Sequence, residues 1–436
     1  MAKKLVLVYG LQPACAAVIQ WKKRAPWGSF LHSRRTAERK RMNFVGIITE
    51  YDPFHNGHAA QLAMLRERGV NAVAVCMSAG AVQRGGIPLL PEPVRVRAAL
   101  QAGADLVIAL PAPYASAGAE AFAAAGVHLL AALGCDTLAF GAETPDPDRL
   151  LAAARLLDSP ALQPPLREAL AAGRTFAAAR AAAAEALCPG TGDLLRAPNN
   201  ILGIEYCKAI LRHGAAMAPL PLPRLGAAHG AGVPGSHAGL PLASASYLRG
   251  AVQREGVEAL APFVPAEAFA LYREAASEGL LACPEKFDAA LLALLRARAP
   301  GGFAGCRGTS EGLENRLETA VGAATDAEDL YARMKTKRYP HARLRRLALD
   351  AALGVQEGAL PPLPPFVHVL GARRAALPRL KAVTLPVSTS LAKLGQASPE
   401  AETLCRTYSR FVDFSALCRG QTRPMGLAYT TKPVVL

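Results

Sequence analysis

The sequence predicts an α/β protein in which a doubly wound parallel sheet is followed by a mostly helical carboxy-terminal region. Two observations predict the sheet. Apolar runs of strand length alternate with helical segments between residues 44 and 140, as in parallel strands joined by crossover helices. Proline also follows two of these runs, at Pro53 and Pro111, and it ends a central strand because it cannot donate to the ladder. A third observation, the helical patterning of most of the chain beyond Ser244, predicts the second region.

The predicted sheet alternates regularly between strands and helices. Its strand segments are apolar enough to be buried on both faces, as the strands of a parallel sheet are. We expect strands over residues 44–48, 72–77, 105–110 and 137–140, a helix from residue 59, and helices over 93–102 and 119–133.

The segments after the sheet are more varied. Residues 148–187 are rich in alanine and leucine, which predicts two or more packed helices. Residues 219–241 are rich in proline and glycine, which predicts a loop. A short proline-rich stretch, 361–365, is expected to interrupt the helical region.

Charge and cysteine usage limit the possible classes of protein. The net charge is +15, and residues 1–41 contain ten Lys or Arg and one acid, so most of the excess lies there. A basic excess is typical of proteins with a polyanionic partner. The nine cysteines form no Cys-x-x-Cys pair, which predicts reduced thiols in the cytoplasm and no zinc cluster. No stretch is apolar enough to predict a membrane span.

The most informative stretch is residues 46–58, Gly-Ile-Ile-Thr-Glu-Tyr-Asp-Pro-Phe-His-Asn-Gly-His. It joins the first predicted strand to the first predicted helix, at the sheet edge where helix amino termini bind phosphate. Gly57 permits close approach of a ligand to the backbone. We predict that His55 and His58 are catalytic, because both can donate hydrogen bonds to a leaving pyrophosphate. From the residues alone, two such histidines also fit a metal pair or a polar surface turn.

Three further motifs contain residues suited to ligand binding. Gly141 follows the fourth predicted strand and can let a nucleoside lie against the backbone, although glycines that merely end strands are as common. Asn199 and Asn200 open a predicted helix, where asparagine is more often a cap than a ligand. Residues 243–249, Ala-Ser-Ala-Ser-Tyr-Leu-Arg, place two serines and Arg249 at another helix start, as a second anion site or an ordinary cap.

A basic run follows in the helical region. It has six cations around Tyr339 and no acid between residues 335 and 346. Charge runs are usually solvated faces, but a tyrosine among cations can also stack on an unpaired base. The predicted RNA-binding side chains of this run are Lys335, Lys337, Arg338, Arg343 and Arg346.

The His-x-Gly-His turn is similar to the HxGH signature of nucleotidyltransferases and class I aminoacyl-tRNA synthetases. Residues 46–58 resemble more closely the bacterial tRNA(Met) cytidine acetate ligases. Residues 140–143 (Phe-Gly-Ala-Glu), 198–206 (Pro-Asn-Asn-Ile-Leu-Gly-Ile-Glu-Tyr) and 335–339 (Lys-Thr-Lys-Arg-Tyr) are similar to motifs of the same family, and the resemblance runs from Met42 to about Tyr408. The nucleotide-binding residues that it implies are Ile48, Thr49, Glu50, Tyr51, Asp52, Pro53, Phe54, His55, Asn56, Gly57, His58, Gly141, Asn199, Asn200 and Arg224.

The resemblance also implies a reaction. ATP and acetate would give acetyl-adenylate and pyrophosphate, and the acetyl group would pass to the wobble cytidine of elongator tRNA(Met). Mg²⁺ is expected to accompany ATP rather than to occupy a dedicated protein site. No covalent nucleophile is needed when positioning and electrostatics supply the catalysis. We expect no membrane and no obligate protein partner.

We expect the chain to divide into three regions. Residues 42–225 would form a HUP or Rossmann-like nucleotide-binding domain, and residues 226–436 a mostly helical tRNA-binding region. We expect the basic extension 1–41 to be a disordered arm or a stretch upstream of a natural start at Met42. A basic RNA-binding arm is the alternative.

The sequence departs from the family pattern at two places. Residues 79–81 lack an asparagine and an aromatic residue, and Glu92 stands where the family usually has lysine. If that lysine touches phosphate or acetate, activation would be altered here. These departures keep open an RNA-binding protein with a decayed active site, and a small-molecule nucleotidyltransferase is a further alternative.

Overall fold

The computed structural model describes residues 44–225, 234–237 and 239–436. The predicted basic extension 1–41 lies outside the described residues. The strands within these ranges are β1 (Phe44–Thr49), β2 (Ala72–Ala79), β3 (Leu106–Pro111), β4 (Thr137–Ala142), β5 (Ala218–Pro223), β6 (Gly235–His237), β7 (Leu240–Leu242), β8 (Val367–Ala372), β9 (Val387–Ser388) and β10 (Val434–Val435).

Helices cover both faces of the sheet and make up most of the second half of the chain. Within the described ranges, none is both long and apolar enough to cross a membrane. The α-helices are α1 (Asn56–Glu67), α2 (Glu92–Gln101), α3 (Ala119–Ala132), α4 (Pro147–Leu157), α5 (Gln163–Ala171), α6 (Phe176–Leu187), α7 (Thr191–Leu194), α8 (Pro198–His213), α9 (Ala245–Glu255), α10 (Ala266–Ser277), α11 (Pro284–Arg298), α12 (Leu313–Ala323), α13 (Ala327–Met334), α14 (His341–Ala352), α15 (Leu391–Gly395), α16 (Pro399–Leu417) and α17 (Leu427–Thr430).

The main sheet has the strand order β10-β8-β3-β2-β1-β4-β5, with β9 paired to β8. Strands β1 to β5 are parallel to one another. The chain builds outward from β1 through β2 and β3 on one side, then through β4 and β5 on the other. The strand order therefore reverses between β1 and β4, which is where open α/β sheets bind ligands. The predicted doubly wound sheet and helical carboxy-terminal region are confirmed.

Two glycines let α3 pack directly on β1, the strand that leads into the histidine turn. A Cβ atom on Gly126 of α3 would lie 2.6 Å from the Ile48 side chain, and one on Gly46 of β1 would lie 2.7 Å from Leu130. Neither side chain could move far, because every residue of the neighbouring strands β2 and β3 is buried. Close helix–strand contact therefore fixes the position of β1 and of the turn that follows it.

The prediction of a loop over 219–241 is wrong at both ends, because its first part forms β5 beside β4 and its last part contains the paired strands β6 and β7. Ala218 N–H donates to a carbonyl preceding β4 (3.0 Å), and Arg224 N–H donates to the carbonyl of Ala142 (3.2 Å). The even-numbered residues thus face β4. Prolines occupy only the odd positions of β5, on the open side of an edge strand, so no ladder hydrogen bond is lost.

The carboxy-terminal region also contributes to the main sheet. Strand β8 pairs antiparallel with β3, and β10 pairs parallel with β8. These strands are short and lie more than 200 residues after β3, so no local pattern indicated their partners. The main sheet contains strands from both sides of the predicted boundary between residues 225 and 226. The division of the chain into two domains at this boundary stays a prediction.

Candidate active site

A cleft of about 290 Å³ opens at the carboxyl ends of β1 and β4. The amino terminus of α1 forms one wall, and α8 with the end of β5 forms the opposite wall. The amino terminus of α9 closes a third side. The fold thus brings together motifs that are far apart in the sequence: the histidine turn, Gly141, Asn199, Arg224 and Ser244.

His55 and His58 close the first turn of α1 through reciprocal hydrogen bonds. The N–H of Gly57 donates to Nδ1 of His55 (3.1 Å), and the N–H of His55 donates to Nδ1 of His58 (3.3 Å). The two rings stack with their centroids 3.7 Å apart. Because each Nδ1 accepts a backbone proton, the neutral ring carries its own proton on Nε2. Each histidine therefore offers one Nε2–H donor to the cleft that it lines.

Both imidazoles are held neutral. Burial lowers the pKa of His55 to about 4, and the charge of Arg224 acts in the same direction. Burial, the adjacent His55 ring and Arg224 lower the pKa of His58 well below its ordinary value. At neutral pH the two rings are therefore preorganised hydrogen-bond donors, suited to negative charge that develops on a bound phosphate.

Several other residues of the turn hold its shape. Asp52 forms an ion pair with Arg249 of α9 (3.3 Å). The Asn56 amide donates to two backbone carbonyls on either side of α9 (3.0 and 3.1 Å). Tyr51 adopts a left-handed conformation with φ 48°, which costs about 1–3 kcal/mol, and its buried ring packs against Phe54.

Only part of the predicted nucleotide-binding stretch therefore lines the cleft. Nucleotide contact by the other residues stays a prediction. The residues that line the cleft are Ile48, Thr49, Glu50, His55, Gly57 and His58, whereas Tyr51, Asp52, Pro53, Phe54 and Asn56 are buried behind them.

On the opposite wall, Glu143 caps α8. Its carboxylate accepts the N–H groups of Asn199 (3.3 Å) and Asn200 (2.9 Å) and the side-chain amide of Asn199 (2.6 Å). The expectation that one asparagine caps this helix is wrong, because the cap comes from the end of β4. Asn199 lines the cleft, whereas Asn200 is buried and bonds Thr144 through its side chain.

Arg224 follows β5 directly and lines the cleft. Its Nη1 lies 3.7 Å from Oε1 of Glu143. That nitrogen is buried and has no hydrogen-bond partner within the part of the chain that the structure describes. A buried, unsatisfied guanidinium donor is costly unless a ligand completes its hydrogen bonds, and a phosphate oxygen is well suited to do so.

The α9 wall is contacted by Arg84, a residue of the loop after β2 to which the sequence assigned no role. Ser244 caps α9 by accepting the N–H of Tyr247 (3.2 Å), as an ordinary cap does. Ser246 accepts hydrogen bonds from Arg249 and from Arg84 (both 3.3 Å), and Arg84 lines the cleft. The position of Arg84 at the cleft was detectable in principle from the sequence, because residues 83–85 follow the second strand at the same edge of the sheet.

Glu92 does not line this cleft. One of its oxygens accepts the N–H of Gly80 (3.0 Å), and the other accepts the hydroxyl of Tyr408 (2.8 Å). It faces a separate cavity of about 260 Å³ between α2, β8 and α16. This acid therefore joins the loop after β2 to α16, and the altered residues 79–81 belong to the same junction.

The basic run spans the connection from α13 into α14 and the first half of α14. Lys335, Lys337 and Arg338 are all exposed, and Lys335 also donates to the carbonyl of Tyr339 (2.6 Å). The expectation that Tyr339 stacks on a base is not supported, because its side chain is 6% exposed and lies beneath the Arg343 guanidinium. RNA contact by the predicted cations stays a prediction.

Helix α14 packs against the loop that borders the cleft. Arg346 of α14 donates to the carbonyl of Gln83 (3.2 Å). Gly85 has φ +79°, and a Cβ atom there would lie 2.4 Å from the backbone nitrogen of Arg346, so glycine is required for this contact. The N–H of Gln83 in turn donates to Glu50 in the cleft (2.7 Å). One short loop therefore separates the basic run from the cleft.

Comparisons with known proteins agree with this arrangement. The family model described as HIGH Nucleotidyl Transferase matches residues 42–411. The tRNA(Met) cytidine acetate ligase of Caldanaerobacter subterraneus subsp. tengcongensis is 33% identical over 372 residues, which cover 81% of this chain and 90% of that protein. The enzyme of the same name from Bacillus subtilis strain 168 is 32% identical over 387 residues, covering 84% and 92% of the two chains.

Solved structures agree as well. The crystal structure of Thermotoga maritima TmcAL bound with alpha-thio ATP superposes with a TM-score of 0.79 at 25% identity, covering 91% of this chain and 100% of that chain. The apo form of the same protein superposes with a TM-score of 0.83 over the same coverage. This chain belongs to the tRNA(Met) cytidine acetate ligases, a family of HIGH nucleotidyl transferases.

Proposed function

We propose that this chain is an ATP-dependent ligase that activates acetate as acetyl-adenylate and transfers the acetyl group to the wobble cytidine of elongator tRNA(Met). The substrates are those in the names of its relatives, and a related structure holds an ATP analogue. One observation carries the proposal. The Nε2–H donors of His55 and His58 share a cleft with Arg224, whose charge is close enough to lower the pKa of both rings.

The cleft suits a nucleotide triphosphate. Gly141 is at the strand-order reversal, and a Cβ atom there would meet no protein atom within 4 Å, which leaves room for a nucleoside against the backbone. Arg224, whose buried Nη1 lacks a partner among the described residues, and the Nε2–H groups of His55 and His58 supply donors to the phosphates. Attack of an acetate oxygen on the α-phosphate releases pyrophosphate, and the charge that grows on the leaving group is stabilised by the two neutral imidazoles.

Mg²⁺ would enter bound to the triphosphate. Among the described residues, no three His, Cys, Asp or Glu side chains converge as metal ligands would. The ion's contribution is to neutralise phosphate charge. The protein's own contribution is the orientation of ATP by the cleft walls.

The acceptor RNA would approach over α14. The exposed Lys337 and Arg338 provide charge for the phosphate backbone, and the loop 82–86 connects α14 to the cleft. Because charged and uncharged tRNA circulates in the cytoplasm, the proposed reaction is placed there. A small-molecule adenylyltransferase would have no use for a basic surface connected by a loop to its active-site cleft.

The direct test supplies the purified protein with tRNA(Met), ATP, Mg²⁺ and labelled acetate. We expect N4-acetylcytidine, detected by mass spectrometry of digested tRNA, and no product when acetate or ATP is omitted. Adenylylation of a different acceptor would favour the small-molecule transferase. RNA binding without ATP turnover would favour the decayed site.

A Gly141→Ala variant tests where the nucleoside lies. We expect an unchanged melting temperature, because the added methyl group meets open space in the free protein. We expect the Kd for ATP, measured by calorimetry, to rise about tenfold or more, a loss of about 1.4 kcal/mol. Gly322→Ala is the matched control, since its Cβ atom also meets nothing and it lies on α12 outside the cleft. Equal ATP affinity in both variants would remove Gly141 from the nucleotide site.

A further inference from the structure

The second half of the proposed reaction needs a proton acceptor. When the exocyclic amine of cytidine attacks the acetyl carbonyl carbon of acetyl-adenylate, a C–N bond forms and the C–O bond to AMP breaks. AMP leaves with that electron pair, and the amine must lose one proton. A positioned general base typically accelerates such a step by about 10² to 10⁴.

The histidines of the cleft are poorly placed to accept this proton. In each ring Nδ1 already accepts a backbone N–H, and Nε2 carries the ring's own proton. Neither ring therefore has a free lone pair. Their lowered pKa values also make them weak bases. The proton must go to another group.

Glu50 is the single acidic side chain among the described residues that line the cleft. It follows β1 directly and is partly exposed. Oε1 accepts the N–H of Gln83 (2.7 Å), which fixes the carboxylate. Oε2 has no hydrogen-bond partner in the described part of the chain. It is also not among the buried side-chain atoms that lack a partner, so it is accessible. One oxygen is thus held and the other is open to the cleft.

Glu50 also lies on the side from which RNA would arrive. Gln83, its hydrogen-bond partner, belongs to the loop that Arg346 of α14 holds through the Gln83 carbonyl (3.2 Å). The next residue, Arg84, lines the cleft beside it. A cytidine delivered from α14 would pass this loop before it reaches the acyl group. Glu50 is therefore between the candidate RNA surface and the phosphate-binding histidines.

We propose that Glu50 is the general base of the transfer step, accepting the proton of the cytidine exocyclic amine as its nitrogen attacks the acetyl carbon. This inference rests on the proposed function and assigns the second half-reaction to a residue different from the histidines of the first. The proton is then lost to solvent after AMP and the acetylated tRNA leave.

The electrostatic surroundings of Glu50, which lines the cleft, differ from those of Glu143, which contacts the wall residues Asn199 and Arg224, in the direction that this assignment needs. Burial and the neighbouring Asp52 raise the pKa of Glu50, against the opposing effects of the Gln83 N–H, Arg249 and Arg84. Tyr206 also faces it, as a neutral phenol whose own pKa is raised by burial. A carboxylate with a raised pKa is the stronger base.

Glu143 is the contrasting case. Burial acts to raise its pKa, but hydrogen bonds from the Asn199 side chain and the helix amino terminus outweigh it, so the pKa is lowered. Its lone pairs are committed to those donors. When two carboxylates at one site are pushed in opposite directions, the raised one is the candidate for proton transfer.

The test uses Glu50→Gln in the full-length protein. The amide oxygen can still accept the Gln83 N–H, so the fold and cleft geometry are retained while the basic oxygen is lost. Two rates are measured: acetate-dependent ATP–pyrophosphate exchange without tRNA, and single-turnover acetyl transfer from enzyme-bound acetyl-adenylate to tRNA(Met). We expect transfer to fall by about 10² or more, and to fall at least tenfold further than exchange does.

The pH profile provides an independent readout. In the unaltered protein, transfer should slow as pH falls, because protonated Glu50 cannot accept a proton, with a midpoint above the ordinary carboxyl value of 4.5. Glu50→Gln should lack this acid limb. Glu50→Asp should keep the limb at a reduced rate, since its carboxylate is retracted by one methylene.

Equal losses in exchange and transfer, or an acid limb that persists in Glu50→Gln, would overturn the assignment. The pH profile of the unaltered protein tests it even if a variant does not fold. Failure of the proposed function has a different signature, because the unaltered protein would then make no acetylcytidine at all.

Discussion

Replacing His58 with alanine is expected to slow acetyl-adenylate formation by about 10² to 10³, the usual effect of removing one donor aimed at developing charge. The Nε2–H of His58 lies in the cleft beside that of His55, with the rings stacked 3.7 Å apart. The loss should appear in acetate-dependent ATP–pyrophosphate exchange. The affinity for tRNA should change little, because this donor acts on a phosphate and not on the RNA.

Two further substitutions separate the two nitrogens of this ring. Nδ1 of His58 accepts the His55 N–H (3.3 Å) and so belongs to the helix cap. His58→Asn places an oxygen near the Nδ1 position and should preserve the melting temperature without restoring exchange. His58→Gln places an amide nitrogen near the Nε2 position and should recover part of the exchange rate.

His213→Ala is the control for these variants, since His213 is exposed at the end of α8 and does not line the cleft. Its exchange rate should equal that of the unaltered protein. If His58→Asn were as active as His58→Gln, the cap rather than the Nε2–H donor would be what matters, and the role assigned to the ring would be wrong.

Replacing Lys337 and Arg338 together with alanine is expected to give the opposite pattern. Both side chains are exposed on the connection into α14. Removing two phosphate contacts should make the slope of log K for tRNA against log salt shallower by about 1.4 to 1.8. Transfer to tRNA at low tRNA concentration should slow accordingly. Acetyl-adenylate formation should be retained, because neither residue lines the cleft.

The matched control removes two exposed cations elsewhere, Arg97 on α2 and Lys393 on α15. It lowers the net charge by the same amount, so any general electrostatic effect appears in both double variants. A salt slope that changes equally in the two would move the RNA surface away from α14. A change confined to the Lys337 and Arg338 variant would place the RNA there.

The sequence predicts the histidine turn well because its signal is local. An apolar strand, a proline and a helix start fix where His55 and His58 must lie. The position of β5 was not predictable in this way, because alternating prolines indicate a loop unless the partner strand is known. Strand β8 was missed for a related reason, since its partner β3 is distant in sequence.

The roles of individual residues likewise divide into those that local sequence signals indicate and those that depend on tertiary packing. Gly141 lies near the end of β4, Arg224 directly follows β5 and Asn199 lies at the start of α8, and the structure brings all three to the cleft. The burial of Tyr339 beneath Arg343 depends on tertiary packing, which composition does not reveal. The role of Glu50 likewise depends on which carboxylate of the site is left with an open oxygen, and only the three-dimensional arrangement of donors decides that.

The central claim is that the cleft between β1 and β4 activates acetate on its own, and that RNA is needed only afterwards. Acetate-dependent exchange of labelled pyrophosphate into ATP, measured without tRNA, tests this most directly. We predict exchange that requires acetate, is unaffected by the absence of tRNA, and is lost in His58→Ala. Exchange that appears only when tRNA(Met) is added would contradict the account, because the RNA would then assemble the activating site.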